Sequence, residues 1–236
     1  MNKIALVTGG AHPMGIGFAS ARALVRQGYQ VIVTGIDAAE IALTPLEQGI
    51  TARVLDVTDA DAVAALVSDL PRLDSLVNAA GRAIYGEFDL ATFARTLDIN
   101  LTGTMSMALA AHPLLARQGG AVVNIGSIYS TFGSAMTPGY AASKGGIAAL
   151  TRSLAVAWAK DGIRVNAVAP GWIKTNMSRP MWEDDEASRP ALQRTPMGRW
   201  GEASELGDVI GFLCAPESSF VTGVMIPVDG GYTISG

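Results

Sequence analysis

The stretch Lys3-Ile4-Ala5-Leu6-Val7-Thr8-Gly9-Gly10-Ala11-His12-Pro13-Met14-Gly15-Ile16-Gly17 decides the fold. Residues 3–8 form an apolar, β-branched run of strand length, glycines interrupt it, and an apolar pattern of helical period follows at once over 16–28. Strand, glycine-rich turn and helix in this order make a cradle for phosphate. Glycines let the chain turn tightly and let a diphosphate approach the backbone without Cβ atoms in the way. The helix N-terminus adds unsatisfied N–H donors at the positive end of its dipole. A glycine pattern alone is a weak signal. The strand before it and the helix after it make this a dinucleotide site, with Gly9, Gly15, Ile16 and Gly17 as candidates and Gly15 and Gly17 nearest the pyrophosphate.

Outward from this unit, short apolar runs recur at 30–34, 51–55, 73–78, 120–125, 163–168 and 224–228, each nearly all apolar rather than alternating. Such strands are buried on both faces and belong to parallel sheets. The intervening stretches 38–48, 59–70, 90–116, 139–160 and 203–214 have helical length and period, as crossovers require. The expected fold is α/β: a Rossmann-type, doubly wound parallel sheet of about seven strands with helices on both faces. The 236 residues read as one domain, 1–236, because no second composition regime appears. Only 172–200 lacks clear periodicity.

A net charge of −4 without a basic cluster argues against nucleic acid and anionic membrane as partners, since both demand concentrated Lys and Arg. With 49% hydrophobic residues the chain is apolar, yet no run approaches the roughly 20 residues of a membrane-spanning helix. The N-terminal run is too short for a signal-peptide core. Cys214 is the single cysteine, so neither an internal disulfide nor a cysteine metal cluster can form. A cytoplasmic protein with an inert, packed thiol and no metal site is expected.

Two helical stretches are too apolar for surface helices. Residues 99–116 contain no Asp, Glu, Lys or Arg, and 140–160 carry charge only at Lys144, Arg152 and Lys160. The sheet covers one flank of each, so a homo-oligomer interface is expected along the other.

The second strand ends in Thr34-Gly35-Ile36-Asp37, where the ribose of the adenosine half would be read. A 2′-phosphate needs a cation here. Ile36 supplies none, and Asp37 with Glu40 would repel it, which favours NAD(H) over NADP(H). Asp37 is the candidate ribose ligand; the alternative is a turn acid capping the next helix. Asp56 and Val57, after the third strand, would lie beside the adenine, although an acid there can equally cap a helix.

Tyr140 and Lys144 lie one turn apart on one helix face. A phenol is a poor base at neutral pH, and a neighbouring ammonium or an oxidised nicotinamide ring favours its phenolate. Tyr140 could then take a proton from an alcohol or give one to a carbonyl. Ser127 ends the fifth strand, where open parallel sheets place ligands, and its hydroxyl could hold the substrate oxygen. Asn100 lies inside a helical pattern, where Asn is disfavoured without a task.

Taken with TGGAHPMGIG at 8–17, NAAG at 78–81, DINLTG around Asn100, YAASK at 140–144, PGWIKT at 170–175 and VDGGY near the C-terminus, the chain resembles the short-chain dehydrogenase/reductase family in its shorter, single-domain form. The resemblance implies a tetrad of Asn100, Ser127, Tyr140 and Lys144. Tyr140 would be the acid/base, Lys144 would also bind the nicotinamide ribose, and the Asn100 backbone would hold a water linking Lys144 to solvent. It further implies that Asn78, Ala79 and Gly81 support the cofactor wall and that Pro170, Gly171, Ile173 and Thr175 border the nicotinamide carboxamide. A homotetramer built on the two apolar helices is implied as well. The chain departs from the family pattern in three places. The glycine loop is two residues longer and includes His12 and Pro13. Ala79 replaces a second Asn. Gly35 and Ile36 stand where the cofactor-selecting acid or Arg is usual.

The aperiodic 172–200 carries Trp172, Met177, Met181, Trp182, Met197 and Trp200 around the acidic run 183–186, and reads as a mobile cover over the substrate. Tyr85, Tyr129, Trp172 and Met177, with Ser127, are the expected substrate contacts, and they suggest an apolar alcohol or ketone. The expected function is NAD(P)(H)-dependent interconversion of a secondary alcohol with a ketone or aldehyde. The competing reading is a nucleotide-binding redox regulator without turnover.

Overall fold

The structure is a computed structural model and describes residues 2–84 and 88–235; Tyr85 lies outside the described residues. Its first strand, β1 (Lys3–Thr8), shows why the chain folds as a sandwich: Leu6 points to one face of the sheet and Ala5 and Val7 to the other, all fully buried. The other strands of the main sheet are β2 (Tyr29–Gly35), β3 (Ile50–Val54), β4 (Ser75–Asn78), β5 (Ala121–Ile125), β6 (Arg164–Pro170) and, last in the chain, β9 (Met225–Val228). They form one seven-stranded, all-parallel sheet in the order β3-β2-β1-β4-β5-β6-β9. The order reverses at β1, which pairs with β2 on one side and β4 on the other. That reversal opens a crevice at the carboxyl ends of the strands.

Helices α1 (Ile16–Arg26) and α9 (Ala203–Cys214) cover the face with Val7, Val33, Val77, Val123 and Val168. Helices α3 (Ala60–Ser68), α5 (Gly103–Ala116) and α6 (Pro138–Trp158) cover the face with Leu6, Leu76, Val122 and Val165. Cys214 is buried, and desolvation pushes its thiol up to about 11, which makes it a packing residue.

Three expected elements differ. The helix expected over 38–48 is only α2 (Ala38–Ile41), because Pro45 lacks an N–H and disfavours helix in the residue before it. The stretch 90–116 is α4 (Leu90–Leu97) and α5 joined by a π-helical turn, Asp98–Thr102. The segment 172–200 is not irregular. It contains β7 (Ile173–Lys174), α7 (Arg179–Trp182) and α8 (Asp185–Arg194), and β7 pairs with β8 (Gly201–Glu202) in a small second sheet. These pieces are too short to announce themselves by period. The acidic run is the start of α8: Asp184 caps it, accepting from Glu186 N at 2.9 Å and Ala187 N at 3.2 Å, and Asp185 and Glu186 sit at its positive end.

Candidate active site

The turn after β1 is backbone packed on backbone. Gly9 has φ +62°, and a Cβ there would come within 2.6 Å of Ala80 Cα; a Cβ on Gly17 would come within 2.6 Å of the Gly9 carbonyl oxygen. The two extra loop residues close on themselves: Met14 N donates to His12 Nδ1 at 3.2 Å and Gly15 N to His12 O at 2.9 Å, so α1 still starts at Ile16. Helices α2, α3 and α4 each begin with an Asp side chain (Asp37, Asp59, Asp89) accepting from the backbone N three residues on. Helix α1 begins with Gly15, without a capping side chain and without an acid in its first turn. Its N–H groups therefore keep their positive end for an anion, and the residues fit a dinucleotide pyrophosphate.

A cleft of about 310 Å³ runs from this turn across the strand ends, lined by Gly9, Gly35, Ile36, Glu40, Asp56, Val57, Ala79, Gly81, Arg82 and Arg95 among others. Asp56 lines it while its carboxylate accepts from Thr58 N at 2.9 Å and Thr58 Oγ1 at 2.7 Å. Asp37 does not line it. Its carboxylate is the N-cap of α2, as the capping alternative expects, with Oδ1 accepting from Glu40 N at 2.8 Å. Asn78 is buried: Nδ2 donates to Asn124 Oδ1 at 2.9 Å, and Asn124 Nδ2 donates to Thr151 Oγ1 at 3.0 Å, tying β4, β5 and α6.

Ser127 follows β5 in extended conformation, with its Oγ accepting from Tyr129 N at 3.2 Å. Ser130 Oγ accepts from Ser127 N at 3.1 Å and donates to Lys144 O at 2.8 Å, fastening the serine loop to α6. Pro138 starts α6, and Tyr140 and Lys144 follow on its first two turns. The Tyr140 hydroxyl is hydrogen-bonded to Ser127, and the Tyr129 ring stands edge-on to Tyr140 with centroids 6.2 Å apart. Buried Lys144 donates from Nζ to Ile125 O at 2.8 Å, with Nζ 5.4 Å from the Tyr140 ring centre.

Asn100, also buried, lies in the π-helical turn. Its Oδ1 accepts from Arg82 N at 2.9 Å, while its Nδ2 donates to Arg82 O at 3.0 Å and Ser143 Oγ at 3.1 Å. Its carbonyl accepts from Thr104 Oγ1 at 2.8 Å. A Cβ on Gly81 would meet Asn100 Oδ1 at 3.1 Å and Lys144 Nζ at 3.6 Å, which brings the end of β4 to the same point.

The electrostatics correct one expectation. Burial pushes the Tyr140 phenol up to about 12, opposed by its bond to Ser127, and burial pulls Lys144 down to about 8. Desolvation sets the direction of the Tyr140 shift, and the Lys144 ammonium is not among its causes.

On the far side, Pro170 ends β6, Gly171 N donates to Val228 O at 3.0 Å, Ile173 is buried in β7, and Thr175 Oγ1 lies 3.1 Å from Ser178 Oγ. Trp172 stacks edge-on between Trp200 (5.6 Å) and Tyr232 (6.3 Å), and its buried Nε1 has no hydrogen-bond partner among the described residues. Trp182 Nε1 donates to Thr175 O at 3.1 Å and Trp200 Nε1 donates to Ser188 Oγ, so the tryptophans fasten this segment. Met177 is exposed. Ser130 and Glu40, absent from the expected site, were findable: each stands three residues after a cap, as in a capping box. The acceptor carbonyl of Ile125 has no signature in a side-chain pattern.

The model of the family described as Enoyl-(Acyl carrier protein) reductase matches residues 9–233. A galactitol 2-dehydrogenase (L-tagatose-forming) of Cereibacter sphaeroides is 39% identical, over 98% of this chain and 94% of its own. The chain belongs to the short-chain dehydrogenase/reductase family. A second member, the cis-4-hydroxycyclohexanecarboxylate dehydrogenase of Sinomonas cyclohexanicum, is also 39% identical, over 98% of this chain and 96% of its own. The solved gluconate 5-dehydrogenase of Burkholderia cenocepacia J2315 in complex with NADP and tartrate superposes with a TM-score of 0.91 at 30% identity, covering 99% of this chain and 96% of that one. This short-chain dehydrogenase/reductase is an NAD(P)-dependent oxidoreductase of an alcohol/carbonyl pair. Nothing in these likenesses supports the non-catalytic regulator. Among the described residues no helix is long and apolar enough to cross a membrane.

Proposed function

We propose that Tyr140 is the general acid/base of this oxidoreductase and Ser127 the hydrogen-bonding partner of the substrate oxygen. The observation that carries this reading is the Tyr140–Ser127 hydrogen bond at the carboxyl edge of the sheet, with Lys144 one helical turn behind. A nicotinamide dinucleotide bound along the cleft supplies or accepts the hydride. Its pyrophosphate would be held by Gly9, Gly15, Ile16 and Gly17, its adenosine by Asp56 and Val57, and its nicotinamide half by Ala79, Gly81, Lys144, Pro170, Gly171, Ile173 and Thr175.

In reduction, Tyr140 holds its proton up to about pH 12 and donates it to the carbonyl oxygen, while the Ser127 hydroxyl steadies that oxygen. In oxidation the phenol must lose its proton, and positive charge nearby favours the phenolate. Lys144 supplies such charge below about pH 8. Asn100 grips the Arg82 peptide on both sides and thereby fixes the loop beside Lys144.

NAD(H) is favoured over NADP(H), because Ile36 offers no donor and acids surround it. Residues 172–200 serve as the substrate's cover, with Trp172 and Tyr129 as its wall. The relatives named above act on a polyol, a cyclic hydroxy acid and a sugar acid. These favour a secondary hydroxyl on a polar molecule over the apolar ketone that the Met and Trp residues suggest. Cytoplasmic residence is supported by the single cysteine, and a homotetramer by exposed Leu109 (55%) and Val156 (82%) on the outer faces of α5 and α6.

The test is a panel of galactitol, gluconate, cis-4-hydroxycyclohexanecarboxylate and apolar secondary alcohols, with the matching ketones, followed at the nicotinamide absorbance with both cofactors. Turnover of at least one polar alcohol, lost in Tyr140→Phe, is the expected result. Unchanged turnover in a folded Tyr140→Phe enzyme would overturn the reading.

A further inference from the structure

Arg194, the last residue of α8, bridges the two flanks of the candidate active site. Its guanidinium carbon stands 4.7 Å from the Phe132 ring centre and 4.5 Å from the Tyr232 ring centre, in the corner between two rings that meet at 81°. Phe132 belongs to the serine loop: Phe132 N donates to Ile128 O at 3.1 Å, and Ile128 follows Ser127. Tyr232 belongs to the opposite flank. Its ring stands edge-on to Trp172, and the turn before it packs on Gly171, where a Cβ would come within 2.7 Å of Asp229 Cα.

This cation is held in place without an anion. Arg179 and Arg199, in the same part of the chain, are each paired with a glutamate at 2.7 Å, Glu183 and Glu205. Among the described residues Arg194 has no such pair. Asp229 in the adjoining turn is already engaged, its carboxylate accepting from Gly231 N at 2.9 Å and Thr233 N at 2.8 Å. The acids of α8 lie at its other end, with Asp185 about 14 Å away along the helix axis. Aromatic faces attract and order a guanidinium, but they leave its N–H donors without acceptors. Arg194 is exposed, so a ligand can reach these donors, and the planar fork of an ordered guanidinium matches a carboxylate.

We propose that Arg194 binds a carboxylate at the far end of the substrate, which makes the alcohol a hydroxy acid and its product the corresponding keto acid. The proposal rests on Tyr140 and Ser127 receiving the hydroxyl, as argued above. The carboxylate takes no part in the redox step: the carbinol carbon gives its hydride to the dinucleotide and the hydroxyl gives its proton to the Tyr140 phenolate. Holding the substrate at both ends decides which hydroxyl of a polyhydroxylated chain reaches Tyr140. Arg194 is thus a specificity-determining residue.

The experiment uses two pairs of alcohols that differ in the carboxylate alone: cis-4-hydroxycyclohexanecarboxylate with its carboxamide, and gluconate with glucitol. Values of kcat and KM are measured for wild type, Arg194→Gln, Arg194→Lys and Arg189→Gln, with circular dichroism to verify folding. Arg189→Gln is the charge control, since it removes a cation from the same helix about 140° around its axis.

Wild type should favour at least one acid over its neutral partner by about tenfold or more in kcat/KM, mostly through KM. Arg194→Gln should reduce that preference to about twofold or less, Arg194→Lys should keep part of it and Arg189→Gln all of it. A merely structural Arg194 would lower acid and neutral partner together and leave the preference intact. That result, or a wild type that turns over neutral alcohols and neither acid, overturns the carboxylate site while the Tyr140 reading stands. Turnover that survives in a folded Tyr140→Phe enzyme overturns the Tyr140 reading and the proposal with it.

Discussion

The Lys144 ammonium donates to the Ile125 carbonyl at 2.8 Å while standing 5.4 Å from the centre of the Tyr140 ring. A buried cation on a strand-end carbonyl, next to a half-buried phenol, gives the site its pH behaviour. Lys144 falls from its ordinary 10.5 to about 8, so between these values the unfolded chain holds a proton that the folded one has lost, and stability rises with pH. Tyr140 rises from 10.0 to about 12, so between these values the folded chain keeps a proton that the unfolded one has lost, and stability falls. Denaturant unfolding should show wild type gaining about 2 kcal/mol relative to Lys144→Met from pH 7.5 to 9.5, and then losing stability above about pH 10. Parallel profiles for the two proteins would show that Lys144 titrates normally.

Tyr140→Phe should lower kcat by about 10² to 10⁴ while dinucleotide affinity and melting temperature change little, because a positioned acid/base acts on the proton and not on the fold. Steady-state kinetics with a fluorescence titration of the cofactor reads both quantities.

Ser127→Ala removes a hydrogen bond that works against the rise of the Tyr140 pKa. A loss of about 10- to 100-fold in kcat/KM is expected, together with an upward move of the basic limb of the oxidation rate profile. A loss of rate without that move would leave Ser127 acting on the substrate alone.

Much of the fold was legible because buried parallel strands write continuous apolar runs, and 203–214 matches α9 residue for residue. Asn100, Ser127, Tyr140 and Lys144 stood out as residue types at their places in the pattern, and the structure brings them to one edge of the sheet. Their alliances did not, because Ile125 contributes a carbonyl and Arg82 a peptide, and neither depends on the side chain. Asp37 shows a different difficulty. An acid at a strand end has two good uses, ribose ligand and helix cap, and a residue pattern shows the cap no more clearly than the ligand; the structure shows the cap.

Asn100→Asp should destabilise the chain by about 2–4 kcal/mol, since a carboxylate oxygen would replace the Nδ2 that donates to Arg82 O and Ser143 Oγ. Thermal unfolding measures this, and a melting temperature within a degree of wild type would contradict it.

Leu109→Glu with Val156→Glu should lower the mass seen in sedimentation velocity, since both side chains lie exposed on the outer faces of the apolar helices. A monomeric wild type, or a double variant of unchanged mass, would remove the proposed interface.

The π-helical turn at Asp98–Thr102 has a consequence for engineering. A wide turn carries one surplus residue, and each residue of a helix advances the chain by about 100°. Excising any one of the four that flank Asn100 would restore a regular, uninterrupted rod, an edit that any propensity-guided stabilisation scheme would welcome. It would also swing Asn100 out of reach of Arg82 and rotate everything upstream against everything downstream. The smoother helix would therefore dismantle the site and, by turning the packed faces of α4 and α5 out of register, weaken the protein it was meant to improve.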